Sequence, residues 1–248
     1  MCGIAGVIGK GSNNEILIRK MTEQIIHRGP DEDGFYLDEE VALGVRRLSI
    51  IDLKTGQQPI ASKNGKKLIF FNGEIYNYKA LREKLIEKGY KFKTETDTEA
   101  VLHLYEDEGE KMLLKLRGMF CFCIYDQENR LLFLARDYFG IKPLYYFKKE
   151  DRILAFASEI KSLLCHPEYK KEVNDEAIFN YLSFQYNPMD ETVFKNIYKL
   201  RPAHFLKIDL TNNNIEEKRY WAFRFNQNDG MEEEQSKREL LGKLQDSV

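Results

Sequence analysis

Met1-Cys2-Gly3-Ile4-Ala5-Gly6-Val7 opens this chain of 248 residues, with a cysteine directly after the initiator methionine and a short apolar run behind it. If Met1 is removed, Cys2 carries a thiol nucleophile and a free α-amine on one residue. An α-amine has a reference pKa of about 7.7–8.0, so it can accept a proton near neutral pH. A nucleophile served by its own amine is an established catalytic arrangement. The same stretch could be an ordinary first strand, and taken alone it favours that simpler interpretation.

Composition predicts a sheet-rich globular protein without affinity for polyanions. The chain is 43% hydrophobic and 12% aromatic, which allows a large buried core and favours strands. The net charge of −2 gives no reason to expect nucleic acid or a membrane surface as a partner. No apolar run approaches the roughly 20 residues of a membrane span, and no secretory leader is visible. We therefore expect a cytoplasmic protein.

The four cysteines predict neither a disulfide framework nor a metal site. Cys121 and Cys123 stand two residues apart in an apolar stretch, so on a strand they share one face, which favours two small core residues. A metal site would need a second pair of ligands. The four histidines are scattered, at His27, His103, His166 and His204. Cys165 is interpreted as structural.

Hydrophobic periodicity and turn residues predict alternating groups of strands and helices. The predicted strands are 3–9, 33–37, 41–46, 67–72, 119–126, 131–136, 144–147, 153–157, 203–210 and 218–221. The predicted helices are 14–27, 77–89 with Asn77 as its cap, one that opens at 97–99, 110–116, 158–164 and 174–182. Residues 188–202 are expected to be irregular. The pattern indicates an α+β fold with two sheets packed face to face and helices outside.

The C-terminal end differs in composition from the rest. Residues 226–230 are a polar linker, and residues 231–248 are highly charged, with Leu240, Leu241 and Leu244 on one helical face. We therefore predict one domain at 1–225, followed at 226–248 by a linker and the first helix of a second domain that lies mostly outside this sequence.

Two stretches carry charges suited to binding an amino acid. Residues 46–52, Arg-Arg-Leu-Ser-Ile-Ile-Asp, put an arginine where a strand meets a loop, and its planar fork can bind a carboxylate. A surface arginine is the alternative. Residues 96–99, Thr-Asp-Thr-Glu, begin a helix and could serve only as its cap.

Two further stretches combine glycine with polar groups. In residues 71–77, the Asn72 amide and the Gly73 N–H could form an oxyanion hole, although Asn-Gly is also a common tight turn. Residues 136–146, Arg-Asp-Tyr-Phe-Gly-Ile-Lys-Pro-Leu-Tyr-Tyr, are interpreted as a structural turn or an interdomain contact.

Together these stretches resemble class II glutamine amidotransferase domains, which are N-terminal-nucleophile hydrolases with a four-layer αββα sandwich. The resemblance runs in the family's order from Cys2 to about Trp221 and also includes His-Arg-Gly-Pro-Asp at 27–31. That last motif and Arg-Leu-Ser-Ile at 47–50 are similar to the asparagine synthetase branch. The stretch from 173 to 210, shared by only some relatives, leaves the ammonia acceptor open.

The resemblance implies a catalytic role for three residues. Cys2, after loss of Met1, would attack the side-chain amide carbon of glutamine, with its own α-amine as base. Asn72 and Gly73 would stabilise the tetrahedral oxyanion.

The resemblance also implies how glutamine is held. Arg47 would bind the α-carboxylate, and Asp97 with Glu74 would bind the α-amino group. Asn72 and Gly73 would also contact the substrate. The pocket would be lined partly through backbone groups by Leu48, Ser49, Ile50 and Ile51.

Asparagine synthetases also carry an ATP-binding domain with a Ser-Gly-Gly-x-Asp-Ser loop, and no such loop occurs here. We therefore expect glutamine hydrolysis without asparagine formation, no cofactor in this part, and ATP and Mg²⁺ in a synthetase domain. Expected partners are glutamine and the chain's own C-terminal synthetase domain. A homodimer is compatible with the resemblance, and neither nucleic acid nor a membrane is expected.

Three alternatives stay open at this stage. The domain could supply ammonia to a different acceptor in another synthetase-like enzyme. If Met1 is retained, the chain could be an inactive docking module. A thiol peptidase is a third alternative, although Arg47 and Asp97 together fit a free amino acid better than the interior of a peptide.

Overall fold

The computed structural model describes residues 1–225, 230 and 232–247. Its strands are β1 (Gly3–Ile8), β2 (Glu32–Leu37), β3 (Val41–Arg47), β4 (Ile60–Ala61), β5 (Lys67–Ile75), β6 (Gly118–Asp126), β7 (Leu131–Arg136), β8 (Tyr145–Lys149), β9 (Arg152–Ala157), β10 (Ile197–Lys199), β11 (His204–Asp209) and β12 (Ile215–Arg219). Its α-helices are α1 (Asn14–Glu23), α2 (Tyr78–Glu87), α3 (Asp97–Glu108), α4 (Ile160–Leu163), α5 (Asp175–Phe184) and α6 (Glu233–Ser247). Single 3₁₀ segments lie at Ile26–Arg28 and Gly109–Lys115.

The strands form two antiparallel sheets that pack face to face. Their orders are β10-β8-β9-β1-β3-β2 and β12-β11-β7-β6-β5-β4. Helices α1 and α4 cover the outer face of the first sheet, and α2 and α3 cover the outer face of the second. The predicted αββα sandwich is therefore confirmed.

Strand β6 shows how the sequence builds these layers. Its side chains alternate, so Cys121 and Cys123 enter the core between the sheets, while Phe120, Phe122 and Ile124 enter the core beneath the helices. Both cysteines are fully buried, which confirms their prediction as core residues. Because both faces of β6 are buried, the strand lacks the alternation of apolar and polar side chains that marks a strand with one exposed face.

Strand β1 lies in the middle of the first sheet, between β9 and β3, and every one of its residues is buried. Gly6 is required there, because a Cβ would lie 2.2 Å from the ring of Phe156. The Ile4 N–H donates to the Ser158 hydroxyl at 3.0 Å. This fixed strand holds Cys2, the residue just before it, at the end of the sheet.

Some predicted boundaries are wrong, among them that of the last strand, which was predicted at 218–221 and lies at Ile215–Arg219. Helix α1 ends at Glu23 rather than at residue 27, because the chain tightens into the 3₁₀ turn Ile26–Arg28. That turn directs Arg28 toward the N-terminus, where its Nε donates to the Cys2 carbonyl at 2.9 Å. In the region 188–202, expected to be irregular, β10 pairs with β8.

Two local predictions about asparagine are also wrong. The side chain of Asn77 does not cap α2, because its amide bridges the Lys115 carbonyl and the Arg117 N–H, each at 2.9 Å. The Asn72-Gly73 pair does not form a turn, since β5 continues through it to Ile75. Long-range pairing with β6 outweighs the local turn preference in this strand.

The C-terminal helix was predicted and is present as α6. Its leucines Leu240, Leu241 and Leu244 are exposed, and its end pairs with the body of the protein through Asp246 and Arg117 at 3.1 Å. Most of the predicted linker, residues 226–229, lies outside the described residues, as do residues 231 and 248. The domain boundary stays a prediction. Among the described helices, none is long and apolar enough to cross a membrane.

Phe122→Ala is expected to lower the free energy of unfolding by about 3–5 kcal/mol, because Phe122 is fully buried against Phe71, Phe120 and Phe133. Urea denaturation measures the loss. Phe225→Ala is the matched control, with a side chain that is 93% exposed. Equal losses in the two variants would contradict this account of the core.

Candidate active site

A cleft opens where β1 begins and where β3 and β5 end, and the loops before β4 and α3 approach it. Eight of the nine predicted substrate-binding residues line this cleft together with Cys2. The lining also includes Met1, Gly56, Gln58, Thr96 and Lys142. Ser49 does not line it, since its backbone N–H points to the Asp31 carboxylate at 2.9 Å.

Cys2 lies half-buried at the base of the cleft. Its Sγ accepts the Leu48 N–H at 3.4 Å and faces the Leu48 carbonyl at 3.7 Å. Burial raises the pKa of the thiol, whereas the Leu48 N–H, the N-terminal amine and Arg47 act to lower it. The thiol therefore sits beside a hydrogen-bond donor and positive charge, which favour its thiolate. Met1 precedes it and is 56% exposed.

Asn72 and Gly73 lie side by side on β5, opposite Cys121 and Phe120 of β6. The Asn72 side chain is 1% exposed, and its amide nitrogen meets only the Cys121 sulfur, at 3.6 Å. A Cβ at Gly73 would lie 2.3 Å from the Met119 carbonyl, so the strands can approach this closely only with glycine. A weakly engaged amide donor beside an unhindered backbone is suited to an oxyanion hole.

Arg47 is buried, which contradicts its alternative interpretation as a surface arginine. Its guanidinium pairs with Glu32 at 2.6 Å and donates to the carbonyls of Ile51 at 3.0 Å and Asp52 at 2.8 Å. The arginine thus anchors the loop that follows β3. Three of its five N–H groups are engaged in these bonds.

Two carboxylates, Glu74 and Asp97, line the cleft together with Arg47. Asp97 accepts the Ile75 N–H at 2.9 Å, which joins the start of α3 to the end of β5. Burial raises the pKa of Asp97 to about 6, and the neighbouring charge of Glu74 adds to the increase. Burial also raises the pKa of Glu74, while Lys142 lowers it. The cleft therefore holds two carboxylates together with the cations of Arg47 and Lys142.

The start of α3 is also capped, which confirms the cap interpretation of residues 96–99. Thr96 accepts the Glu99 N–H at 3.2 Å, and the Glu99 carboxylate accepts the Thr94 N–H at 2.6 Å. Against the effect of burial, hydrogen bonds from His103 and from this backbone lower the pKa of Glu99 to about 2. This network fixes the direction in which Asp97 enters the cleft.

Gln58 is a cleft residue that the sequence analysis missed. Its Oε1 accepts the Phe71 N–H at 2.7 Å and its Nε2 donates to the Phe71 carbonyl at 3.1 Å. The side chain therefore acts as a strand partner for β5 immediately before Asn72. The Gly-Gln-Gln-Pro stretch carries only loop signals, so no local pattern could have revealed this role.

Comparison with known proteins gives one family. Residues 1–221 match the family model of the glutamine amidotransferase domain. The chain is 46% identical over 208 residues to the glutamine-hydrolysing asparagine synthetase 1 of Bacillus subtilis strain 168, covering 82% of this chain and 33% of the relative. It is 39% identical over 232 residues to asparagine synthetase 2 of the same organism, covering 90% and 31%. The chain thus spans about a third of the length of these relatives.

A solved structure supports the same fold. Glutamine phosphoribosylpyrophosphate amidotransferase from Bacillus subtilis superposes with a TM-score of 0.64 at 19% identity, over 89% of this chain and 49% of that chain. This likeness shows that the two proteins share the αββα fold.

Proposed function

The chain belongs to the family of glutamine amidotransferase domains, and on that premise we propose that it hydrolyses glutamine to glutamate and ammonia with Cys2 as nucleophile. The observation that carries the proposal is the meeting, in one cleft, of the thiol, the Asn72 amide, a buried arginine and two carboxylates. A free amino acid needs this combination, since its α-carboxylate and α-ammonium must be held while the side chain reacts.

The chemistry begins once Met1 has been removed. The new α-amine of Cys2 takes the thiol proton, and the thiolate attacks the side-chain carbonyl carbon of glutamine. The Asn72 amide and the Gly73 N–H stabilise the tetrahedral oxyanion. Collapse of this intermediate transfers the proton to the leaving nitrogen and releases ammonia. Water then hydrolyses the γ-glutamyl thioester to give glutamate and the free thiol.

The substrate is oriented by charge. Arg47 binds the α-carboxylate, and Asp97 with Glu74 binds the α-ammonium group. Backbone groups of Leu48, Ile50 and Ile51 border the same space. Ser49 belongs to the same loop but does not line the cleft, so we assign it no direct contact with glutamine.

The fate of ammonia is the second part of the proposal. The relatives are named as glutamine-hydrolysing asparagine synthetases. We propose that this domain supplies ammonia to an ATP- and Mg²⁺-dependent synthetase domain of the same polypeptide, with asparagine as the product. An amidotransferase with another acceptor is the alternative, and assays of a longer chain distinguish the two.

The proposal is tested by measuring glutamate and ammonia from protein of known intact mass. Protein that has lost one methionine is expected to hydrolyse glutamine and to leave asparagine unchanged, because the cleft must fit the longer side chain. Protein that retains Met1 is expected to be inactive, since Cys2 then lacks a free amine. Equal turnover of asparagine, or full activity with Met1 present, would contradict the proposal.

A change at Asp97 tests how the substrate is recognised. Since the pKa of this carboxyl is raised to about 6, Asp97 loses its charge as the pH falls through that value, and kcat/KM is expected to fall with it. Asp97→Asn keeps an oxygen for the Ile75 N–H but removes the charge. We expect kcat/KM to drop about 10- to 100-fold because KM rises. We also expect the fall of kcat/KM near the pKa of Asp97 to disappear from the pH profile.

Glu95→Gln is the control for Asp97→Asn, since Glu95 is exposed and two residues away. It is expected to retain the wild-type KM and pH profile. A titration near the same pH that persists in Asp97→Asn would assign it to another group.

A further inference from the structure

Lys142 is a buried lysine in the cleft that the proposed reaction does not use. It lies between β7 and β8, is 2% exposed, and lines the same space as Cys2 and Glu74. Within the described residues, its ammonium has no carboxylate at ion-pairing distance. Burying an ammonium without a paired anion is costly, so such a group suggests a functional role.

The backbone on both sides of Lys142 is tightly held. The fully buried Asp137 accepts the N–H groups of Ile141 and Lys142, each at 2.9 Å. The Arg136 guanidinium donates to the carbonyls of Lys142 at 2.7 Å and Gly140 at 2.6 Å. These bonds fix the turn, and therefore the direction in which the lysine enters the cleft.

The side chain reaches the N-terminal residue. Its Nζ lies 2.7 Å from the Met1 sulfur. When Met1 is removed, the ammonium faces the space that Met1 occupied, beside the new α-amine of Cys2.

The two arginines near Cys2 are both paired with carboxylates. The arginines Arg28 and Arg47 form ion pairs with Glu159 at 3.0 Å and with Glu32 at 2.6 Å. The other charged or titratable groups facing the site are Asp31, Glu74, Asp97, Asp137 and the Cys121 thiol. Unlike Arg47, Lys142 has no carboxylate bound directly to it within the described part of the chain, so its positive charge acts on Cys2 without a paired anion.

We propose that Lys142 is a positioning residue of the glutaminase site, whose ammonium holds the Cys2 α-amine in its neutral, proton-accepting form and favours the Cys2 thiolate. This assignment rests on the proposed role of Cys2. A positive charge disfavours protonation of a nearby amine and favours ionisation of a nearby thiol, so both effects extend activity to lower pH. In the chain that retains Met1, burial, Arg28 and Lys142 act to lower the pKa of the Met1 amine, whereas Cys2 and Asp31 oppose them. Burial also lowers the pKa of Lys142 itself.

The test compares Lys142→Met, which removes the charge at similar length, with Lys142→Arg, which keeps it. One readout is the pH dependence of kcat at saturating glutamine, where Asp97 is already engaged by substrate. The other is the rate at which iodoacetamide alkylates Cys2 in the absence of glutamine, followed by mass spectrometry of the N-terminal peptide. All proteins are the full chain with Met1 removed.

In Lys142→Met we expect the acid limb of kcat to move up by about one pH unit, and alkylation at neutral pH to slow by about tenfold. In Lys142→Arg both readouts are expected to stay within about twofold of the wild type. Lys54→Met, which removes an exposed lysine of the loop after β3, is the control and should match the wild type.

Unchanged pH profiles and alkylation rates in Lys142→Met, with only a loss of stability, would overturn the proposal. Lys142→Gln serves as a second uncharged variant if the methionine variant does not fold. Alkylation does not require turnover. A wild type that is alkylated at Cys2 but does not hydrolyse glutamine would therefore refute the glutaminase function while still testing the effect of Lys142 on the thiol.

Discussion

Cys2→Ala is expected to lower the rate of glutamate formation from glutamine by about 10⁴-fold or more, because no other group can form the thioester. The fold should be unaffected, since within the described residues the Cys2 sulfur has hydrogen-bond partners only in the Leu48 backbone, at 3.4 and 3.7 Å. Alanine also permits removal of Met1, so the variant keeps its free amine. The groups that bind glutamine are unchanged, and calorimetry should find affinity within about threefold of the wild type.

Cys165→Ala is the matched control for this prediction. Cys165 is half-buried at the edge of the core beneath α1 and α4, and its sulfur donates a weak hydrogen bond to the Lys161 carbonyl at 3.6 Å. This variant is expected to have wild-type turnover. If Cys2→Ala retained more than about a hundredth of the activity, the nucleophile would have to be another group, and the N-terminal mechanism would be wrong.

The layers of the fold could be predicted because they follow from side-chain alternation. In β6, apolar residues on both faces identify a strand buried between two layers, and Cys121 and Cys123 fall on one face by counting alone. The boundaries that failed depend on distant partners. Arg28 leaves the helical path to reach the Cys2 carbonyl, and Asn77 is drawn to Lys115 and Arg117. Neither partner is visible from the local sequence.

The same difference between local patterns and contacts of distant residues applies to the site. The order of the motifs was sufficient to bring Arg47, Asn72 and Asp97 into one hypothesis, and the structure gathers them around Cys2. Sequence reasoning did not find Gln58 or the role of Lys142. Gln58 acts as a strand partner for β5, and Lys142 contacts Met1, which is 141 positions away in the sequence. Such contacts exist only once both sheets have formed.

Asn72→Ala is expected to lower kcat by about 10²- to 10³-fold with little change in KM, because one oxyanion donor is lost while the substrate clamp remains. The structure makes the prediction specific. The Asn72 amide nitrogen meets only the Cys121 sulfur, at 3.6 Å, and its Oδ1 has no partner among the described residues. The side chain therefore contributes little to folding, and its removal should change the free energy of unfolding by less than about 1 kcal/mol.

Two further variants separate a catalytic role for Asn72 from a structural one. Asn72→Asp replaces the amide donor by a carboxylate of similar shape, which can only accept. The carboxylate would repel the oxyanion, so the kcat of this variant should be lower than that of Asn72→Ala. Cys121→Ala removes the contact of the amide with sulfur and should change kcat by less than about threefold, since that bond is weak. A matching loss of stability and activity in Asn72→Ala would instead show that Asn72 supports β5, leaving the Gly73 N–H to stabilise the oxyanion.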